Sequence, residues 1–205
     1  MVQAMARDFA QEEVAPIAAE IDREARFPRE TVKRLGELGL LGIAVPERWG
    51  GSGADMVSYV VALEEVARAC ASHAVIMSVN NSLYCDPILT FWTDAQREQF
   101  LTPFASGRKR GAFSLTEPEA GSDASNQRTL AVRDGEHYVL NGTKSWVSSA
   151  GFADVFVVFV STDKANQGVS CILVEKGTPG LSLGKKEKKM GMRGSDTREV
   201  SFKDC

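Results

Sequence analysis

The spacing of the hydrophobic residues changes near residue 107, and this change constrains the fold of the 205-residue chain more than any other feature. Before it, apolar residues such as Val2, Met5 and Phe9 recur every three or four positions, the spacing of an amphipathic helix. After it, apolar and polar residues alternate over short runs, which is typical of β-strands. The sequence therefore predicts an α+β fold, with a helical part followed by a β part.

Five helices are predicted in the first part, over 2–21, 29–41, 56–71, 74–92 and 94–104. We expect a kink at Pro16, because proline cannot donate the helical hydrogen bond. The glycine-rich run 49–53 predicts a loop. It is not a phosphate-binding loop, since no Gly-Lys-Ser/Thr follows it and no strand precedes it.

Six short strands are predicted in the second part, over 112–115, 129–133, 138–140, 155–160, 169–174 and 199–202. Two glycine-containing turn signals, 133–136 and 140–143, predict hairpins between neighbouring strands. The second part is therefore an antiparallel sandwich or barrel-like domain. We expect the domains to be 1–108, an N-terminal helical domain, and 109–205, a middle β domain.

Charge and motifs exclude several classes of protein. A net charge of −3, with neither half of the chain carrying an excess of basic residues, argues against nucleic-acid binding. The longest apolar stretches, 74–77 and 155–160, are too short to cross a bilayer, and no targeting segment is visible. The four cysteines show no Cys-x-x-Cys spacing, so we expect reduced thiols and no metal site. The lysines at 185–189 predict a solvated turn.

The most informative segment is 113–125, Phe-Ser-Leu-Thr-Glu-Pro-Glu-Ala-Gly-Ser-Asp-Ala-Ser. It predicts a strand that ends in a loop of small residues, with Thr116, Ser122 and Asp123 as short polar groups. Such a loop suits a polar ring edge or a pyrophosphate, because small residues allow backbone N–H groups to approach a ligand. A capped turn without a ligand explains these residues equally well.

This segment resembles the first signature of the acyl-CoA dehydrogenase family, flavoproteins that introduce a double bond between Cα and Cβ of acyl-CoA thioesters. The resemblance extends over nearly the whole chain, through 9–16, 38–42, 46–51, 78–85 and 184–191. The last two segments resemble short-chain, butyryl-type members. Two positions depart from the signature. It usually begins with Gly, Ala or Cys, where this chain has Ser114, and it ends with a small residue, where this chain has Asn126.

The resemblance implies an FAD site. Thr116 would lie at the pyrimidine side of the flavin, Trp146 would pack on the isoalloxazine, and the Ser148 hydroxyl would donate to N5. Ser122 would contact both FAD and acyl-CoA. The full implied set of FAD-binding residues is Phe113, Leu115, Thr116, Gly121, Ser122, Trp146, Val147 and Ser148.

The resemblance implies no catalytic residue within these 205 residues. The family's catalytic glutamate comes from a helical bundle that follows the β domain, and we expect that bundle, and the base, beyond residue 205. Glu117 and Asp123 would instead brace the flavin loop. The chain would then be an inactive fragment of an enzyme that oxidises short-chain acyl-CoA to trans-2-enoyl-CoA.

The family also implies an electron-transfer flavoprotein as electron acceptor and a homotetramer when full length. It implies the cytoplasm as location in a bacterium, or the mitochondrial matrix in a eukaryote. Two other interpretations stay open. One is an acyl-CoA oxidase-like flavoenzyme, and the other is a non-enzymatic truncated homologue that binds flavin or acyl-CoA.

Overall fold

The computed structural model describes residues 1–163 and 168–205 and divides into two compact units. The helical unit comprises Met1–Gly111 together with Lys188–Asp196, and the β unit comprises Ala112–Glu187 together with Thr197–Cys205. The α+β fold predicted from the sequence is confirmed. The boundary of the two domains at 108/109 stays a prediction.

The helical unit contains eight α-helices in its described residues. They are α1 (Val2–Phe9), α2 (Ala15–Arg23), α3 (Arg29–Glu37), α4 (Met56–Ala69), α5 (Ala71–Ser78), α6 (Asp86–Phe91), α7 (Asp94–Phe100) and α8 (Thr102–Ala105). Two π-helical segments, Ala10–Val14 and Val79–Cys85, join α1 to α2 and α5 to α6. Fully buried side chains of α2, α3, α4 and α5, among them Ile21, Leu35, Val66 and Met77, form the core.

Each π-helical segment ends two residues before a proline: at Val14, before Pro16, and at Cys85, before Pro87. A proline in a helix lacks the N–H group, and its ring clashes with the carbonyl four residues earlier. A π-helical turn is wider than an α-helical turn and changes the position of that carbonyl. The helix continues past Pro16 through a π-helical segment, and the kink expected there stays a prediction.

The glycine-rich run serves packing within the helical unit. Gly50 has φ +79°, in the left-handed region that favours glycine. A Cβ atom on Gly51 would overlap the carbonyl oxygens of Val45 and Gly42. The loop predicted at 49–53 is thus confirmed, and its glycines are explained by this close approach of backbone to backbone.

Replacing Gly51 with alanine should destabilise the chain by about 1–3 kcal/mol, because two carbonyl oxygens would have to move. Gly191→Ala is the matched control, since no heavy atom lies within 4 Å of the position that its Cβ would take. Urea unfolding followed by circular dichroism measures both variants. Equal midpoints for the two variants would contradict the packing argument.

Among the described residues, seven strands form one mixed sheet, which lies in the β unit apart from Gly111, the first residue of its first strand. The strands are β1 (Gly111–Ser114), β2 (Leu130–Asp134), β3 (His137–Ser148), β4 (Val155–Asp163), β5 (Gly168–Glu175), β6 (Leu181–Lys186) and β7 (Thr197–Phe202). Their order is β1-β4-β2-β3-β7-β6, and β5 pairs with β4. The pairs β2–β3, β3–β7, β4–β5 and β6–β7 are antiparallel, and β2–β4 is parallel at Leu130 and Ser161.

The two predicted hairpin turns have different outcomes. The turn at 133–136 is confirmed, with Gly135 at φ +59° between β2 and β3. The turn at 140–143 is wrong, because β3 continues through Asn141 and Gly142. Gly142 pairs with Phe202 of β7, and a Cβ on it would overlap Thr129. Glycine is needed there for a close strand contact and not for a reversal of the chain.

Strand β6 was not predicted, and it includes two of the clustered lysines, Lys185 and Lys186. The solvated turn expected at 185–189 is therefore wrong for these two residues. Lys189 lies in the part of the chain that packs with the helical unit, and its ammonium group donates to the carbonyls of Met192 and Ser195. In the described residues, no helix is both long and apolar enough to span a membrane.

Candidate functional site

The site begins with a β-bulge in β3. Lys144 pairs with Val200 and Val147 pairs with Arg198, so Ser145 and Trp146 together lie opposite one residue of β7. An extra residue reverses the side to which the following side chains point. Lys144 and Val147 are therefore both buried, whereas the Trp146 side chain is 64% exposed.

The backbone of Trp146 is strained. Its φ is +60°, in the left-handed region that a bulky residue rarely adopts. Such a conformation costs about 1–3 kcal/mol and is concentrated at functional sites. The chain thus exposes a large, flat indole to solvent from a strained backbone position.

The end of β1 lies directly against this bulge. The Ser145 amide donates to the Thr116 carbonyl at 2.8 Å, which places Thr116 beside the residue that precedes Trp146. The ring of Phe113 packs on Phe159 with 5.1 Å between ring centroids. The structure therefore brings Thr116 close to Trp146 in space.

The loop that follows is compact. Its first turn is closed by a reciprocal pair of hydrogen bonds between the backbones of Glu117 and Ala120. A second turn follows Asp123, whose carbonyl accepts from the Asn126 amide and whose carboxylate accepts from the Ser125 hydroxyl at 2.7 Å. Gly121 and Ser122 lie exposed between the two turns. The capped-turn interpretation describes this loop, and it leaves the exposed residues available to a ligand.

Gly121 is not required by the packing of the chain itself. Its φ lies outside the left-handed region, and no heavy atom lies within 4 Å of the position of a Cβ. Space around a glycine that the fold does not fill is what the close approach of a ligand needs.

A buried ion pair joins the loop to β3. The Lys144 ammonium lies 2.6 Å from a Glu117 carboxylate oxygen, and the two side chains are 0% and 1% exposed. The same ammonium donates to Gln127 Oε1 and to the Leu115 carbonyl, the latter at 3.1 Å. The Glu117 carboxylate also accepts from the amides of Arg128 at 2.6 Å and Thr129 at 3.0 Å. Every polar group of this cluster is paired, as a buried charge requires.

Burial and the ion pair act in opposite directions on the pKa of each partner. Burial acts to raise the pKa of Glu117, but hydrogen bonds from Lys144 and from two backbone amides outweigh it and lower the pKa below its ordinary value. Burial lowers the pKa of Lys144, while Glu117 acts in the opposite direction. Glu117 is therefore a structural anion, and its fully occupied oxygens do not suit it to remove a substrate proton.

The remaining predicted residues, Val147 and Ser148, differ in how deeply they are buried. Val147 is 1% exposed and belongs to the core of the β unit, so only its backbone could contact a ligand. Ser148 is half-buried and pairs with Thr197 at the end of β3. The structure thus gathers Thr116, Trp146 and Ser148 on two adjacent segments.

Sequence reasoning missed Lys144 and Gln127. A signal was present, since Lys144 lies four residues after the buried Leu140 and so points to the same face of a strand. A lysine at an inward-facing position requires an anionic partner. That partner, Glu117, is 27 residues earlier in the chain.

The donor set fits a flavin. An exposed indole offers a flat apolar surface for a polycyclic ring. Thr116 and Ser148 supply hydroxyl groups, and the loop around Gly121 supplies small residues. No group of three or more His, Cys, Asp or Glu side chains among the described residues could hold a metal ion.

Comparison with known proteins assigns the family. The model of the acyl-CoA dehydrogenase N-terminal domain matches residues 1–108, and the model of the middle domain matches residues 112–205. The chain belongs to the acyl-CoA dehydrogenase family.

Relatives of known identity are similar over the whole chain. It is 52% identical over 207 residues to the mitochondrial short-chain specific acyl-CoA dehydrogenase of Mus musculus, covering 100% of this chain and 50% of that protein. The structure of butyryl-CoA dehydrogenase from Megasphaera elsdenii matches with a TM-score of 0.96 at 42% identity, covering 99% of this chain and 55% of that one. The chain thus spans about half the length of these relatives.

A third similar protein was solved with a cofactor. The structure of acyl-CoA dehydrogenase complexed with FAD from Bacillus anthracis matches with a TM-score of 0.92 at 38% identity. The match covers 100% of this chain and 35% of that one.

Proposed function

We propose that this chain carries the flavin site, and part of the acyl-CoA site, of a short-chain acyl-CoA dehydrogenase. The observation that carries the proposal is the bulge that holds Trp146 exposed at φ +60° next to the end of β1. The short-chain assignment rests on the similarity to the mouse and Megasphaera proteins.

Each of the candidate residues would make a different contact with FAD. Trp146 would pack on the flavin ring, and Thr116 and Ser148 would donate hydrogen bonds to it. A donor at N5 stabilises negative charge that develops there, as oxyanion donors do. When bound, FAD would accept a hydride from Cβ of the acyl group. Ser122, exposed in the loop, would contact both FAD and the thioester substrate.

The general base is proposed to come from a segment that follows residue 205 in the full-length enzyme. Neither carboxylate of the loop suits the role. Glu117 is buried in its ion pair, and Asp123 is engaged by the Ser125 hydroxyl. An electron-transfer flavoprotein as acceptor, a homotetramer, and the cytoplasm or mitochondrial matrix as location are proposed on the family resemblance.

Replacing Trp146 with glycine should weaken FAD binding while leaving the free energy of unfolding unchanged within about 1 kcal/mol, because glycine relieves the strained φ as the exposed ring is lost. FAD titration followed by tryptophan fluorescence and by visible absorption measures the affinity, and urea unfolding measures the stability. Trp92→Phe, in the helical unit, is the fluorescence control and should bind FAD normally.

Two results would contradict the flavin site. One is FAD binding by Trp146→Gly as tight as that of the unaltered chain, and the other is no FAD binding by the unaltered chain.

Anaerobic addition of butyryl-CoA to the FAD-loaded chain tests whether the chain contains a general base. We expect the flavin to stay oxidised, and bleaching would place a base within these residues.

A further inference from the structure

The buried cluster around Lys144 does more than satisfy its own charges, because its contacts run between the two segments that carry the candidate flavin residues. On one side are the carbonyl of Leu115, the carboxylate of Glu117 and the amide oxygen of Gln127. On the other side is the stem of Lys144, which is part of β3. The Ser145 amide adds a bond to the Thr116 carbonyl.

We name this set of contacts the Lys144 clamp. In it, Lys144 or Ser145 donates a hydrogen bond to each of four residues: Leu115, Thr116, Glu117 and Gln127. Three successive residues of one segment are tied to two successive residues of the other. Glu117 also binds the amides of Arg128 and Thr129, which closes the loop that carries Gly121 and Ser122.

A clamp of this kind is a costly way to obtain stability alone. Burying two charges requires a large desolvation energy, and apolar residues of similar size are often as stabilising. An ion pair with several directional partners instead selects one arrangement of the segments.

We infer that Lys144 is a positioning residue, which through Glu117 and Gln127 fixes Thr116 and the 117–128 loop relative to the bulge that presents Trp146. The inference rests on the proposed function, because the geometry it maintains is that of the proposed flavin site. Because Lys144 itself is fully buried, it would act on a ligand only through these partners.

The test separates positioning from stability. The double variant Glu117→Gln/Lys144→Met removes both charges and so avoids a lone buried charge. We expect it to fold, to bind FAD about tenfold or more weakly, as is typical when groups that support a site are lost, and to exchange the Ser145 amide hydrogen faster. Glu65→Gln is the matched control, since it breaks the Arg7–Glu65 ion pair of the helical unit at 2.7 Å. It should leave FAD affinity unchanged.

Wild-type FAD affinity in a stably folded double variant would overturn the inference and leave the cluster a purely structural element. If the unaltered chain binds no FAD, the proposed function fails, and amide exchange still decides on the clamp. Unchanged protection of the Ser145 amide would then refute it, and lost protection would support it. Should the double variant not fold, Gln127→Ala is the second variant, because it removes an uncharged partner of the Lys144 ammonium group. Its FAD affinity and the exchange of its Ser145 amide are then measured.

Discussion

Replacing Lys144 alone with methionine should lower the free energy of unfolding by about 3–5 kcal/mol, the cost of leaving one member of a buried ion pair without its partner. The Glu117 carboxylate would stay within a site where its side chain is 1% exposed, and it would keep the amides of Arg128 and Thr129 but lose the ammonium group. In response, the pKa of Glu117 should rise, because burial would no longer be opposed by the ammonium group.

Urea unfolding of the single and double variants at pH 7 measures this effect. The double variant Glu117→Gln/Lys144→Met should recover a large part of the loss, since no charge is then buried. A single variant within about 1 kcal/mol of the unaltered chain would show that the pair is hydrated and not buried. The single variant should also become more stable as the pH falls through the raised pKa of Glu117, because protonation then removes the buried charge.

The helical half of the fold could be predicted from the sequence because burial there follows one period. The predicted helix over 56–71 differs from α4, Met56–Ala69, by two residues at one end. The helix predicted over 29–41 ends earlier, at Glu37, since Gly39 takes φ +71°. Such a left-handed residue ends a helix, and the apolar residues that follow it are buried without being helical.

The β half was predicted less completely, for reasons specific to Gly142 and Trp146. Asn-Gly is a strong turn signal, but here the glycine is explained by the nearby Thr129, a contact that depends on tertiary structure. The bulge changes the alternation of β3 after Lys144, so the period of the strand assigns Trp146 to the wrong face. The family resemblance assigned Thr116 and Trp146 to one flavin site, and these roles stay a prediction. Local periodicity alone gives no reason to place the two residues together, whereas the structure joins Thr116 to Ser145, the residue before Trp146.

Acid should destabilise the helical unit through His73, which is fully buried in α5. Its Nε2 lies 2.7 Å from the Thr31 hydroxyl, which in turn is placed to donate to the Pro28 carbonyl at 3.3 Å. The other ring nitrogen, Nδ1, has no hydrogen-bond partner among the described residues. Burial lowers the pKa of His73 to about 4.

The sign and size of the effect follow from this pKa. Above pH 6.5 the imidazole is neutral in both the folded and the unfolded chain, and its contribution to stability is complete. Between pH 6.5 and about 4 the unfolded chain binds a proton that the folded chain does not, so the free energy of unfolding falls with pH. The full loss is about 3 kcal/mol, of which about 2 kcal/mol is reached at pH 5.

Comparison of variants isolates this contribution from that of the carboxylates. His73→Gln retains a polar group toward Thr31 but cannot take up the proton. Between pH 7 and pH 5, its free energy of unfolding should therefore fall by about 2 kcal/mol less than that of the unaltered chain. His137→Gln, at the exposed start of β3, is the control and should follow the unaltered chain. Urea unfolding by far-ultraviolet circular dichroism, dominated by the helices, provides the measurement. Parallel pH profiles for His73→Gln and the unaltered chain would mean that His73 takes up its proton in the folded state with no penalty from burial.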